Sequence, residues 1–157
     1  MTRLVFWVGF WVFLVDQASK YLVVHWMALR ELGRIDVLPP FLNLRMAWNT
    51  GVNFGLFSQD SDIMRWGLIA LALLISGAVL WWVHRDPPGR VGLVAAGLLV
   101  GGAMGNVVDR ILYGAVADFL NMSCCGIANP YAFNLADAAI FAGALGLVFF
   151  AGEKKAP

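Results

Sequence analysis

Asp118 and Asp137 are the residues whose placement invites chemistry. Asp118 stands in Val116-Ala117-Asp118-Phe119 and Asp137 in Phe133-Asn134-Leu135-Ala136-Asp137, on either side of a short connection between two strongly apolar stretches. Each has a plain structural role when taken singly. Asp118 suits an exposed interfacial carboxylate. Asp137 suits a capping arrangement with Asn134 as N-cap three residues upstream, at the positive end of a helix. Together they form a candidate acid–base pair. Two carboxyl groups within about 3 Å of each other cannot both ionise, so they share a proton. One then acts as base on a water while the other donates to a substrate carbonyl. This chemistry needs no metal, no cofactor and no nucleophilic Ser or Cys. The two cysteines, Cys124 and Cys125, are adjacent, and His25 and His84 stand alone. That pattern offers no metal-ligand spacing, and the cysteines read as small apolar residues.

Further ionisable groups lie inside apolar stretches, where a charge costs about 2.5–3.5 kcal/mol even on insertion scales. Asp16 and Lys20 are four residues apart, share a helix face and can pair. The plainer reading is a structural ion pair that fixes helix packing. Asn106, Asp109 and Arg110 fall at i, i+3 and i+4. There, Arg110 can pair with Asp109 or fork onto other carboxylates. This cluster suits helix packing and a functional site equally well. Gly97, Gly101 and Gly105 form a small-residue ridge that allows close helix approach in lipid.

These residues need elements to hold them. Of 157 residues, 61% are hydrophobic and 13% charged, against about 45–50% and 25% in average domains. Disorder is excluded, and a soluble globular domain would expose large apolar patches. A net charge of +1 gives no basic field for nucleic acid. The composition points to an integral membrane protein forming one domain over residues 1–157. Four apolar segments, at about 4–27, 63–83, 91–112 and 135–151, match the roughly 17–25 residues of a helical span. Lipid leaves each no alternative to helix. The first reads as an uncleaved span, since its apolar run is too long for a signal peptide. Arg3, Arg85, Arg90, Lys154 and Lys155 share one side in a four-span topology. By density of positive charge, that side is cytoplasmic and holds both termini.

The insertion at about 28–62 is more than a linker. Pro39-Pro40 breaks it. Leu42, Leu44, Met46 and Trp48 then alternate with Asn43, Arg45, Ala47 and Asn49, a period of two that argues a strand. Asn49-Thr50-Gly51 signals a turn. A small β-rich platform at the outer membrane surface follows. The second outer segment, Tyr113 to Phe133, is mixed, with turn signals at Gly114 and Gly126. Three function classes fit the residues alone: a peptidase built on the carboxylate pair, a small proton- or ion-coupled transporter, and a membrane scaffold. The clustering of Asp109, Asp118 and Asp137 toward one membrane edge, with no inverted repeat, speaks against a transporter.

Five segments carry a resemblance. Asp16-Gln-Ala-Ser-Lys20, Asn49-Thr-Gly-Val-Asn-Phe-Gly55, Gly105-Asn-Val-Val-Asp-Arg110, Val116-Ala-Asp-Phe119 and Phe133-Asn-Leu-Ala-Asp137 occur in that order along nearly the whole chain. In this the chain resembles the bacterial lipoprotein signal peptidases (signal peptidase II), which are intramembrane aspartyl endopeptidases. The resemblance implies an all-α membrane fold with four transmembrane helices, a small extracytoplasmic β-cradle and a short outer helix, the last expected around Leu120 to Ala132. It implies Asp118 and Asp137 as the catalytic dyad. Asn49, Asn106, Arg110 and Asn134 would line the site. Asp16, Lys20, Asp109, Gly51 and Gly105 would support it. The implied substrate is a prolipoprotein whose Cys carries a diacylglyceryl group, cut just before that Cys. The implied location is the bacterial inner membrane, with the site near the outer face and the protein a monomer among lipids. Phe54, Phe57 and the aromatic first span are candidate substrate clamps, while outward-facing aromatics such as Trp7 and Trp11 equally suit lipid contact.

Overall fold

The computed structural model describes residues 2–51, 61–124, 126, 129–150 and 152. Phe54 and Phe57, Cys125, and the tail lysines Lys154 and Lys155 lie outside the described residues. The four apolar segments are helical. They form α1 (Thr2–Lys20), α3 (Ser61–Arg85), α4 (Arg90–Tyr113) and α5 (Leu135–Phe150), with a four-residue α2 (Leu29–Leu32) after the first. α1 continues through a π-helical stretch, Tyr21–Trp26, before the chain reverses at Ala28, whose φ is 53°. Among the described residues, two helices, α3 from Asp62 and α4, are long and apolar enough to cross a membrane, and α5 is a shorter apolar helix. Trp7 and Trp11 are exposed on α1, interleaved with Phe6 and Phe10 in edge-to-face contacts. With Leu74 on α3 and Val148 on α5 they give the bundle an apolar outside, which suits lipid rather than water.

α4 is the central helix, because its small residues let two neighbours approach on different sides. Gly101 packs on the backbone of Gly9 in α1, and a Cβ added at Gly105 would lie 2.5 Å from the Asp16 carboxylate. On another side, a Cβ at Gly102 would lie 2.5 Å from the Ala136 carbonyl of α5. α3 sits apart from this tight trio. Val79, Trp82 and Val83 join it to Val5, Leu93 and Ala96 in one apolar cluster. This difference is testable by thermal melt. Gly101→Val places methyl groups against backbone that cannot give way, and overpacking of that kind costs about 1–3 kcal/mol or more. Gly77→Ala on α3 meets nothing within 4 Å and is expected to melt with the wild type.

The platform is a three-stranded antiparallel sheet in the order β1 (Arg34–Leu38), β2 (Leu42–Asn49), β3 (Val116–Met122). β2 occupies the stretch whose alternation marked it. Leu44 is buried with Val23, Leu29 and Phe119, and Ile35, Met46 and Leu120 pack around them. The third strand corrects the reading of the second outer segment as merely mixed. Leu120 to Met122, expected to begin a short outer helix, complete β3 instead, and no helix occurs in the described part of 120–132. Among the described residues, the short helix is α2. β3 shows no period of two because Val116 to Phe119 are all buried, so no polar face marks it.

Candidate active site

Gly114 (φ 78°) ends α4 and turns the chain into β3. Pairing of β3 with β2 sets Asp118 opposite Ala47 and Val116 opposite Asn49. The strand lies over the helix ends, so Asp118 is 3% exposed rather than an exposed interfacial carboxylate. Its Oδ2 accepts from Asn49 Nδ2 at 3.0 Å and its Oδ1 from Asn134 Nδ2 at 2.6 Å. Gly51 fixes the Asn49 amide by donating its N–H to Asn49 Oδ1 at 3.0 Å. Its φ of 122° is one that side-chain-bearing residues rarely adopt.

Asp137 arrives by the capping arrangement expected for it. Its N–H donates to Asn134 Oδ1 at 2.9 Å, and Asn134 N–H donates to Asp137 Oδ2 at 3.2 Å. Asp137 Oδ1 accepts from Asn106 Nδ2 at 2.8 Å. Asn134, fully buried, therefore holds both carboxylates, one by its side chain and one by its backbone. Burial pushes the Asp118 carboxyl up to about 7, and the charge of Asp137 adds to the rise, against hydrogen bonds from Asn49 and Asn134 that lower it.

A second polar layer lies beneath. Lys20 Nζ is 2.8 Å from Asp16 Oδ2 and 2.8 Å from Asp109 Oδ2, and it donates to Asn106 Oδ1 at 3.2 Å. Asp109 thus pairs with Lys20 across two helices, not with its neighbour Arg110. Asp16 Oδ1 accepts the N–H of Ala136 at 2.9 Å, and Asp109 Oδ2 accepts the N–H of Ala117 at 3.2 Å. Each buried carboxylate grips the residue immediately before one of the two candidate acids. Gln17 joins the layer, donating to Asp109 Oδ1 at 3.0 Å and to Gly105 O at 3.2 Å. It was not singled out as a site residue, although an amide inside an apolar span is itself a signal. Arg110 donates to its own helix at Asn106 O, 3.3 Å away, and Asp137, Asp118 and Asp109 lie within electrostatic reach of its guanidinium.

The eleven residues assigned to the carboxylate pair, its lining and its support therefore lie at one end of the bundle, in two layers. The family model of Signal peptidase (SPase) II matches residues 8–151. The chain belongs to the signal peptidase II family. It is an aspartic-type peptidase of that family, which sets aside the transporter and scaffold readings. Among curated relatives, a lipoprotein signal peptidase of Methylobacterium sp. (strain 4-46) is 46% identical over 134 residues, 85% of this chain and 79% of its own. One from Alteromonas mediterranea is 39% identical over 153 residues, 95% of this chain and 82% of its own. A bacterial membrane enzyme solved by the in meso method at 1.9 Å matches with a TM-score of 0.78 and 27% identity, over 92% of this chain and 90% of that one. A second, at 2.3 Å, matches with a TM-score of 0.76 and 28% identity, over 92% and 85%. The signal peptidase II fold here is accordingly helical with a small antiparallel sheet, in an integral membrane protein.

Proposed function

We propose that this signal peptidase II removes the signal peptide from diacylglyceryl-modified prolipoproteins by cutting just before the lipidated Cys, with Asp118 and Asp137 as its catalytic pair. The observation that carries the reading is the joint hold of Asn134 on both carboxylates, with Asp118 raised to about 7 beside Asp137. A pair that retains one proton near neutrality can act as acid and base together. The ionised carboxylate takes a proton from water as its oxygen attacks the scissile carbonyl carbon. The protonated one donates to the carbonyl oxygen. The resulting gem-diol collapses when one hydroxyl returns its proton and the leaving nitrogen gains one, which restores the shared proton. Asn49, Asn106, Asn134 and Arg110 line and orient the site, and Asp16, Lys20, Asp109, Gly51 and Gly105 support it.

Four helices, α1, α3, α4 and α5, cross the bacterial inner membrane as a single domain, with both termini cytoplasmic and the sheet at the outer face. The protein acts as a monomer in lipid. A lipid-anchored substrate arrives sideways within the bilayer while water enters from the sheet side. The test is cleavage by the purified, folded protein in detergent of one prolipoprotein in two forms, with and without the diacylglyceryl group on Cys. Cleavage of the modified form alone, at the bond before Cys, is the expected result. Equal cleavage of both forms, or of neither, would reject the substrate assignment.

A further inference from the structure

Asn49 closes β2 and holds Asp118 by its side-chain amide. The two strands that meet there are fixed unequally. On β3, the residue before Asp118 is held at both of its polar backbone groups. Ala117 N–H donates to Asp109 Oδ2 at 3.2 Å, and Ala117 O accepts from Asn134 Nδ2 at 3.4 Å. Among the described residues, no side chain grips the backbone of Trp48 or Asn49 in this way. Gly51 N–H donates to Asn49 Oδ1, but both belong to one turn and move together. Gly51 also lies against Met64 of α3, a flexible side chain that follows its neighbours.

Successive side chains of a strand point to opposite faces. Asn49 and Asp118 share the face toward the carboxylate pair, and Trp48 takes the other with its cross-strand partner Ala117. There the Trp48 ring meets Tyr113, the last residue of α4, with ring centres 5.7 Å apart and planes at 51°. Tyr113 stands on a firm base, since Gly114 closes the helix behind it and donates its N–H to Arg110 O at 3.1 Å. Around the two rings the packing is open. Trp48, Tyr113 and Ala117 share a cavity of about 120 Å³ with Gln17, Lys20 and Asp109, a volume of about four waters. Trp48 is 39% exposed and Tyr113 50%. Tyr113 is the one aromatic ring that Trp48 meets among the described residues, so it is the contact that limits how far Trp48 can swing.

We infer that Tyr113 is a positioning residue for the reaction: through the Trp48 ring it sets the end of β2, and with it the reach of the Asn49 amide to Asp118. The inference rests on the peptidase reading of the carboxylate pair. Tyr113 touches no reacting atom, and its effect passes through Trp48 and Asn49. An edge-tilted ring pair favours one geometry beyond the area it buries. A misplacement of about 1 Å, even from a change remote from the chemistry, can cost about 10²-fold in rate. A tyrosine at a membrane interface also suits contact with lipid headgroups. That plainer role makes no use of Asn49, which is what separates the two.

The experiment measures cleavage of a diacylglyceryl-modified prolipoprotein in detergent by wild type, Tyr113→Phe, Tyr113→Leu, Asn49→Ala and the double variant Tyr113→Leu/Asn49→Ala, each checked by thermal melt. Tyr113→Phe keeps the ring and is expected to match wild type. Tyr113→Leu is expected to lower kcat about tenfold with KM nearly unchanged. Asn49→Ala removes a hydrogen bond to a carboxylate and should lower kcat about tenfold or more. In the double variant the two losses should not multiply, because groups that act through one another couple. Melting temperature against pH gives a second readout that needs no cleavage. The Asn49 bond lowers the Asp118 carboxyl, so loosening it lets that carboxyl rise further. The fall in melting temperature near pH 7 should then move to higher pH in Tyr113→Leu and in Asn49→Ala, with no added displacement in the double variant. The charged groups around Asp118, namely Asp137 of α5, Lys20 of α1 and Arg110 of α4, are the same in every variant. A wild-type kcat in Tyr113→Leu, a Tyr113→Phe as impaired as Tyr113→Leu, or losses that multiply in the double variant would overturn the inference. Folded wild type that cleaves nothing would reject the peptidase reading, and the melting curves would still judge the link from Tyr113 to Asn49: a fall left in place in Tyr113→Leu overturns it.

Discussion

Asp118→Asn and Asp137→Asn are each expected to lower kcat/KM for a lipid-modified prolipoprotein by about 10²–10⁴-fold or more, the range of a single general acid–base function. The folded bundle should persist in both. Asn is isosteric with Asp and still offers one accepting oxygen, so Asn134 keeps a partner at position 118 and Asn106 one at position 137. The pH dependence separates this chemistry from a packing effect. Asp118 has a folded-state pKa of about 7, above the ordinary 3.8 of an exposed carboxyl. The folded protein therefore holds a proton that the unfolded chain has released. That contribution to stability is fully present below about pH 4 and is lost as pH rises through about 7. The wild-type melting temperature is expected to fall between pH 5 and pH 8 more steeply than that of Asp118→Asn, which has no proton to lose there. Activity should decline above roughly pH 7 for the same reason, since a pair with both groups ionised has no acid to donate. Parallel melting curves, or cleavage surviving in either variant, would remove that residue from the pair and turn attention to Asp109.

Different parts of this arrangement differed in legibility. The helices were visible because lipid-compatible length and apolarity are one-dimensional properties of a chain. β2 was visible because one face of it is buried against Val23 and Leu29 and the other carries polar residues such as Asn43 and Arg45. The Asn134–Asp137 cap was visible because its two members are three residues apart. β3 was hidden for the opposite reason: buried on both faces from Val116 to Phe119, it lacks alternation. The burial of Asp118 was hidden with it, since it follows from that strand's pairing with β2 and not from any local signal. Asp109 was open between Arg110 and other partners. It joins Lys20, which lies far away in sequence, because the glycine stripe brings α1 and α4 close enough for the ammonium to reach it. That two carboxylates make a peptidase was one reading among three from the residues alone. The five segments in order narrowed it, because their sequence and spacing carry information that no single Asp does.

Lys20→Met is expected to cost about 3–5 kcal/mol of stability, the typical result of removing one partner from a buried ionic group. Lys20 has three ammonium protons and three acceptors: Asp16, Asp109 and the Asn106 carbonyl. Without it, Asp16 and Asp109, 0% and 1% exposed, face each other across the α1–α4 contact with no cation between them. The consequence extends beyond stability. Asp16 holds the N–H of Ala136 and Asp109 holds the N–H of Ala117, so the ammonium ties together the chain segments immediately before Asp137 and Asp118. It also holds the oxygen side of the Asn106 amide, which leaves the Nδ2 side pointing at Asp137. Loss of Lys20 should therefore lower kcat even where the protein remains folded, at a temperature well below its melt. Asp109→Asn, which keeps an oxygen for Ala117 and leaves Lys20 paired with Asp16, should cost clearly less than Lys20→Met in the same thermal melts. Equal losses would mean that the layer acts only by packing. A loss below about 1 kcal/mol for Lys20→Met would mean that the two carboxylates find protons or water in its place, and that the ammonium does not set the spacing of Asp118 and Asp137.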